Sequence, residues 1–153
     1  MTPDPNFHLD GLSYKYLSSY DTWMGTHTIT YYKADGSAAT VYVSPVGSAG
    51  AAGTKEDPAA LDSALVGDVP GQEIILLEGT YNLGSISINR GINGTAVKMI
   101  TLKADPEAKT RPILDFGGIG GGLAIEGNYW YFYGFDVTGS TGNGIHVAGS
   151  YNV

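Results

Sequence analysis

Two side chains that could take part in acid–base chemistry, Glu126 and His146, stand 20 positions apart near the carboxy-terminal end of the sequence. Each lies at a short stretch of alternating apolar and polar residues, which is typical of a β-strand with one face turned outward. Ser87 and Asn89 have matching outward positions in an earlier stretch, SISIN. Because no lysine or arginine is placed beside Glu126 and His146, the pattern favours ligand contact over an acid–base couple. A surface histidine without a ligand is the alternative.

Other kinds of reactive site are missing from the sequence. The chain has no cysteine, which excludes disulfides, thiolate zinc sites and a thiol nucleophile. No zinc-binding histidine spacing, phosphate-binding glycine loop or serine-nucleophile motif occurs. Asp115 and Asp136 are expected on different strand faces, and two carboxylates are too few for calcium, which takes about six to eight oxygen ligands. We therefore expect this chain to bind no metal or cofactor.

The composition is that of an acidic, glycine-rich chain. Glycine accounts for 23 of the 153 residues, and the net charge is −7. Such a charge argues against a nucleic-acid partner, because phosphate contacts need many lysines and arginines. Five of the eight basic residues fall between positions 90 and 111, which indicates a solvated face or a patch for an acidic polymer. No apolar run is long enough for a membrane helix, and the first ten residues lack a signal-peptide pattern.

A 22-residue repeat predicts the architecture. Val147 follows Ile125, Gly149 follows Gly127 and Tyr151 follows Tyr129 by 22 positions, so that strand, turn and turn aromatic recur together. A unit of this length with three short strands is one coil of a parallel β-helix, in which equivalent strands stack around a common core. The columns expected to point inward are Ile86, Leu123, Ile145 and Ile88, Ile125, Val147, and those expected to point outward are Ser87, Ala124, His146 and Asn89, Glu126, Ala148.

The remaining elements frame this solenoid. Residues 1–40 are predicted to form an amino-terminal extension with a β-hairpin around Asp35-Gly36, and residues 41–153 the cap and first coils. A single short helix is expected, capped by Asp57, with Leu61 and Leu65 on its buried face. In WYFYGFDV (130–137), Trp130 and Phe132 are expected to point inward before a corner at Gly134.

Several motifs together resemble a known family. The stretches PGQEIILLEGTYN, ITLKADPE, NYWYFYGFDVTGS and NGIHVAGSYN are similar to the amino-terminal part of pectate-lyase-like right-handed β-helix enzymes, above all polysaccharide lyase family 9. The resemblance covers about residues 41–153. Chondroitinase and alginate lyase relatives share a similar GTYN and ITLKA stretch and form the second choice. The fold implied is all-β, a right-handed parallel β-helix with a short amino-terminal capping helix.

The resemblance implies a secreted, calcium-dependent lyase that cleaves acidic, uronate-containing polysaccharide by β-elimination. It also makes Ser87, Asn89, Glu126 and His146 candidate sugar contacts, because their strand face forms the sugar groove in such enzymes. The family's catalytic lysine and calcium-binding aspartates lie in later coils, so none is assigned here. We expect the chain to be truncated before them. Two alternatives stay open, a carbohydrate-binding module and a structural piece that stacks on another chain through its open carboxy-terminal end.

Overall fold

The computed structural model describes residues 38–153, except Asp68 and Gly120, together with the backbone of three earlier strands. These strands are β1 (Phe7–Leu9), β2 (Leu12–Asp21) and β3 (Thr26–Lys33), which form one antiparallel sheet in that order. The division of the chain near residue 40 stays a prediction, because much of 1–40 lies outside the described residues.

The hairpin predicted around Asp35-Gly36 stays a prediction, because its turn lies outside the described residues. β3 pairs antiparallel with β2, whereas the next strand, β4 (Thr40–Ser48), pairs in parallel with β5 (Glu73–Leu76). An Asp-Gly pair favours a turn, but it does not decide whether the flanking strands pair with each other. β4 is therefore the first strand of the solenoid.

Nine strands after β4 and a short helix form three coils, and no further helix occurs in the described residues beyond position 70. Equivalent strands stack in parallel as three sheets, in the orders β4-β5-β8-β11, β6-β9-β12 and β7-β10-β13. The elements after β4 are α1 (Leu61–Ala64), β5 (Glu73–Leu76), β6 (Thr80–Asn82), β7 (Ile86–Ile88), β8 (Ile100–Ala104), β9 (Ile113–Asp115), β10 (Leu123–Ile125), β11 (Trp130–Tyr133), β12 (Asp136–Thr138) and β13 (Ile145–Val147). The parallel β-helix predicted from the repeat is confirmed.

The inward columns have the predicted register. Leu123 pairs with Ile86 on one side and Ile145 on the other, and the next inward column is in register likewise. Leu123 is 1% exposed because it lies between two coils, whereas Ile145 and Val147 are 44% and 52% exposed in the last coil. Burial of each apolar side chain thus depends on coils stacked on both sides.

The third coil also turns its corner as predicted. Gly134 has φ of 83°, a conformation that glycine adopts without the steric cost of a Cβ. Trp130 before this corner is completely buried, and Phe132, Phe135 and Val137 are partly buried against the core. The alternation of inward and outward side chains is therefore interrupted at Tyr133-Gly134 because the chain changes direction there. The residues on both sides of the corner still face the same core.

The helix is shorter than predicted, and Asp57 does not cap it. The side chain of Asp57 accepts a hydrogen bond from Ala52 N at 2.9 Å and so holds the preceding loop. The backbone of residues 58–60 runs beside β4, since Ser48 N donates to the Pro58 carbonyl and Ala60 N to the Ser48 carbonyl. Leu61 and Leu65 are buried as expected. Within the described residues, no helix has the length and apolarity needed to span a membrane.

Tyr81 ties the first coil to β4. Its side chain is 2% exposed, and its hydroxyl lies 2.8 Å from the Val43 carbonyl oxygen and 2.9 Å from that of Leu77, to which it donates. Burial raises the pKa of the Tyr81 phenol well above its ordinary value of 10.0. The folded chain therefore keeps this phenol protonated at a pH where the unfolded chain ionises it.

We expect Tyr81→Phe to change how stability depends on alkaline pH. Because the folded-state pKa is raised, the contribution of Tyr81 is complete below pH ~10 and is lost above it, by up to about 1.4 kcal/mol per pH unit. The variant should lose about 1 kcal/mol at pH 8 through the missing hydrogen bond and then decline less steeply at higher pH. Urea unfolding across this range, with Tyr133→Phe as the exposed control, measures it. Parallel declines for wild type and Tyr81→Phe would contradict the assignment.

Candidate functional site

The outer face of the β7-β10-β13 sheet carries two of the predicted contact residues in one column. Ser87 pairs in register with Ala124, and Ala124 with His146. Neighbouring strands lie about 4.8 Å apart, and side chains at paired positions project to the same face. Ser87 and His146 are exposed, and Ala124 is half-buried between them. The column therefore offers a hydroxyl and an imidazole separated by one coil that carries only a methyl group.

The other two predicted residues follow the strands directly. Glu126 N donates to the Ile88 carbonyl at 2.9 Å, and Ala148 N donates to the Ile125 carbonyl at 2.8 Å. These bonds place Asn89, Glu126 and Ala148 side by side at the strand ends. The Ser87 hydroxyl and Asn89 Oδ1 lie 3.2 Å apart in a hydrogen bond. Glu126 and His146 form neither a hydrogen bond nor an ion pair with each other among the described side chains, so no acid–base couple is assembled.

A concavity of about 340 Å³ lies over the Ser87–His146 column. Its polar lining comes from Ser85, Ser87, Asn143 and His146, and its apolar lining includes Leu123 and Ala124. Asn89 and Glu126 do not line it. The structure therefore brings Ser87 and His146 together at one concavity and leaves the other two predicted residues beside it.

A second concavity, of about 310 Å³, adjoins the first at Ser85 and Ile86. It is lined by β4, α1 and the end of β6, with Ser44, Asp62 and Asn82 as polar members. We call the two concavities together the axial groove, because they extend from α1 along the stacking direction to His146.

Several residues that line this groove were not predicted from the sequence. Asn143 lies 22 positions after Gly121, so the repeat itself could have placed it beside the loop that precedes β10 in the second coil. Asp62 and Ser44 could not be found that way, because they come from the cap, which lies outside the repeat. Their place in the groove depends on how α1 packs against β4.

Turns next to this sheet are held by a ladder of asparagine side chains. Asn93 Oδ1 accepts from Asn128 N, and Asn128 Oδ1 accepts from Ser150 N, both at 2.7 Å. The tyrosines after the two later turns, Tyr129 and Tyr151, have φ of 58° and 59° and stack with ring centroids 4.8 Å apart. Each hydrogen bond satisfies a backbone donor that the turn leaves without a strand partner. The ladder holds the turns of successive coils at a fixed distance from one another, and the same distance separates the outward side chains of neighbouring strands.

Several basic side chains are paired with acids away from the groove. Lys103 Nζ lies 2.7 Å from a Glu73 carboxylate oxygen, and Arg111 Nε lies 2.9 Å from an Asp136 oxygen. Lys55 pairs with Glu107 and, at 3.0 Å, with Asp105. The hydrogen bonds to Glu107 and then Asp105 raise the pKa of Lys55 above its usual value. None of these basic residues lines the axial groove.

Asp115 and Asp136 lie on one face, not on different faces as predicted. Asp136 pairs with Ile113, two residues before Asp115, so that both aspartates have the same parity on the β6-β9-β12 sheet. Asp115 accepts from Gly117 N at 2.9 Å, and Asp136 is bound by Arg111. No group of three or more metal-ligating side chains occurs in the described part of the chain. The described residues therefore do not fit a calcium site, which needs about six to eight oxygen ligands.

Comparison with known proteins identifies a family for most of the chain. Residues 41–153 match the family described as Pel9A-like, right handed beta helix region. The chain is 37% identical over 140 residues to pectate lyase L of Thermoclostridium stercorarium, and 35% identical over 121 residues to pectate lyase L of Paenibacillus polymyxa. A solved rhamnogalacturonan lyase shares the fold, with a TM-score of 0.60 over 74% of this chain and 34% of that one, at 20% sequence identity.

The matched relatives are much longer than this chain. The two pectate lyase matches cover 90% and 75% of this chain but only 11% and 26% of the relatives. The chain thus spans between about a tenth and a quarter of the length of these curated relatives. The similarity therefore concerns only a part of each relative.

Proposed function

Because this chain belongs to the Pel9A-like right-handed β-helix family, we propose that it is the amino-terminal part of a secreted polysaccharide lyase. The substrate class is acidic, uronate-containing polysaccharide such as pectate, and the reaction of the whole enzyme is β-elimination assisted by calcium. The match over residues 41–153, together with the identity to pectate lyases L, is the observation that carries this proposal. Extracellular location follows from the substrate, which is a cell-wall or matrix polymer.

Within that enzyme we assign polysaccharide binding, not the chemical step, to the described residues. β-Elimination needs a base for the proton next to the uronate carboxyl and a cation near that carboxylate. The axial groove has no lysine or arginine in its lining, and the described residues contain no cluster of three or more metal-ligating side chains. Ser87 and His146 are the proposed sugar contacts inside the groove, with Asn89 and Glu126 as proposed contacts at its edge.

We expect the purified chain to bind pectic polysaccharide without cleaving it. Isothermal titration with pectin should give measurable binding that weakens about threefold to tenfold in a Ser87→Ala, His146→Ala double variant, since two hydrogen bonds to ligand are lost. Tyr133→Ala, an exposed change on another sheet, is the matched control. Incubation with polygalacturonate and calcium should release no unsaturated uronate, with an active pectate lyase as positive control. Product formation by the chain alone would contradict this division of roles.

The exposed apolar edge of the last coil supports a second, structural candidate. Ile145 and Val147 continue two inward columns and are about half exposed. An apolar strand edge of this kind favours stacking on a further β-structure, which for this chain is either a later coil of the parent protein or a second copy. Light scattering over a range of concentrations tests self-stacking. A Val147→Lys variant should then be more monomeric than the wild type, whereas identical profiles would argue against it.

A further inference from the structure

We propose that the axial groove takes uronate units in their uncharged, methyl-esterified form, because its lining holds polar and apolar side chains and one carboxylate but no lysine or arginine. This inference rests on the polysaccharide-binding function proposed above and specifies which form of the polymer that site selects.

The charges around the groove disfavour a free uronate. Asp62 is exposed at the start of α1 and lines the amino-terminal concavity. Glu126 is exposed at the edge of the other concavity. A uronate carboxylate about 4 Å from either of them would be repelled by roughly 1 kcal/mol even at the dielectric constant of water. The overall charge of −7 adds to this repulsion at low ionic strength.

Nearby cations do not compensate for these carboxylates. Lys103 and Arg111 are already engaged by Glu73 and Asp136 on the two other sheets. Arg90 follows Asn89 and is exposed, but it is not part of the lining of either concavity. A free carboxylate in the groove would therefore leave water for a site without a lysine or arginine partner, which is unfavourable unless the charge is paired.

The neutral lining suits an esterified unit. Ser85, Ser87 and Asn143 offer hydroxyl and amide groups that can donate to sugar hydroxyls or to an ester carbonyl. Gly121, Gly122 and Ala124 present backbone and a single methyl group, which leaves room for a methyl ester and for the C–H face of a sugar ring. Such a mixture of small apolar surface and a few polar groups is common in ligand-binding clefts.

The test compares pectins that differ in esterification. With the whole chain in low-salt buffer containing EDTA, we expect highly methyl-esterified galacturonan to bind at least about tenfold more tightly than polygalacturonate. Galactan, a neutral polysaccharide, should bind more weakly than the esterified polymer. Tighter binding of polygalacturonate, with or without added calcium, would overturn this inference and leave the proposed function intact. Binding of neither pectin would overturn both, and equal binding of galactan would overturn the assignment to uronate esters.

A variant with an added positive charge tests whether the preference for esterified pectin arises in the axial groove. Ala124→Lys places an ammonium in the middle of the Ser87–His146 column, and we expect it to shift the preference toward polygalacturonate by about tenfold. Ala148→Lys is the matched control, because Ala148 is exposed directly after β13 but does not line the groove. Circular dichroism and the melting temperature establish that both variants fold. An equal shift in the two variants, or none in Ala124→Lys, would overturn the placement of the site.

Discussion

Replacing Trp130 by alanine is expected to lower the free energy of unfolding by about 3–5 kcal/mol, the range for loss of a large buried aromatic side chain. Trp130 is completely buried, and its ring stacks on Phe132 with centroids 5.8 Å apart. Its Nε1 donates to the Ile92 carbonyl at 2.8 Å, so the indole also joins the third coil to the turn after the first. The substitution therefore opens a cavity and leaves the partly buried Ile92 carbonyl without this donor.

Such a loss is a large part of the stability of an ordinary domain, so a milder variant belongs in the same experiment. Trp130→Phe keeps most of the ring volume and removes the Nε1 donor, and we expect a loss of about 1.5–3 kcal/mol. Tyr133→Ala, at the other end of the same strand, is the control, because Tyr133 is 65% exposed and should cost less than about 1 kcal/mol. Guanidinium unfolding followed by circular dichroism measures all three. A Tyr133 effect as large as that of Trp130 would contradict a core role for the indole.

The coils of this protein could be predicted from the sequence because matching side chains recur in them at a fixed spacing. When Ile125 and Val147, or Gly127 and Gly149, recur at a fixed offset, the positions must stack, and the register of β13 on β10 follows from this period. The step from β7 to β10 is longer, 37 positions from Ile86 to Leu123, and its register follows from the matching alternation of the two strands. The inward and outward columns then follow from alternation alone. Membership in the family and the fold followed from the same residues, since the motifs that resemble polysaccharide lyase family 9 lie in these coils.

The parts that failed are those where a local signal has more than one structural outcome. Asp57 and Pro58 fit a helix start, but the backbone of residues 58–60 bonds to Ser48 instead, and this tertiary contact overrides the local preference. The groove was only half predicted, because Ser87 and His146 lie in the repeat whereas Asp62 comes from the cap.

Gly127 shows what the repeat encodes beyond side-chain identity, and its replacement by alanine should be the second large effect. A Cβ at this position would overlap the Ile92 carbonyl oxygen and lie 2.9 Å from Trp130 Nε1 and 3.1 Å from Ile88 Cγ2. Two of these three atoms form the hydrogen bond that fixes the indole. Because a backbone carbonyl in a packed coil cannot yield as a flexible side chain can, we expect Gly127→Ala to cost about 3 kcal/mol.

Gly121→Ala is the matched control for this prediction. A Cβ there meets no atom within 4 Å, so the change should be nearly neutral or should stabilise the fold by about 0.5 kcal/mol through the unfolded state. For a domain of this size, the two variants should differ in melting temperature by about 6–12 °C. Equal melting temperatures would mean that the coils can separate at Gly127 without loss. A clear difference would mean that glycine recurs at Gly127 and Gly149 because successive coils approach too closely for any side chain, and Gly149 indeed faces the Gly127 carbonyl in the same way.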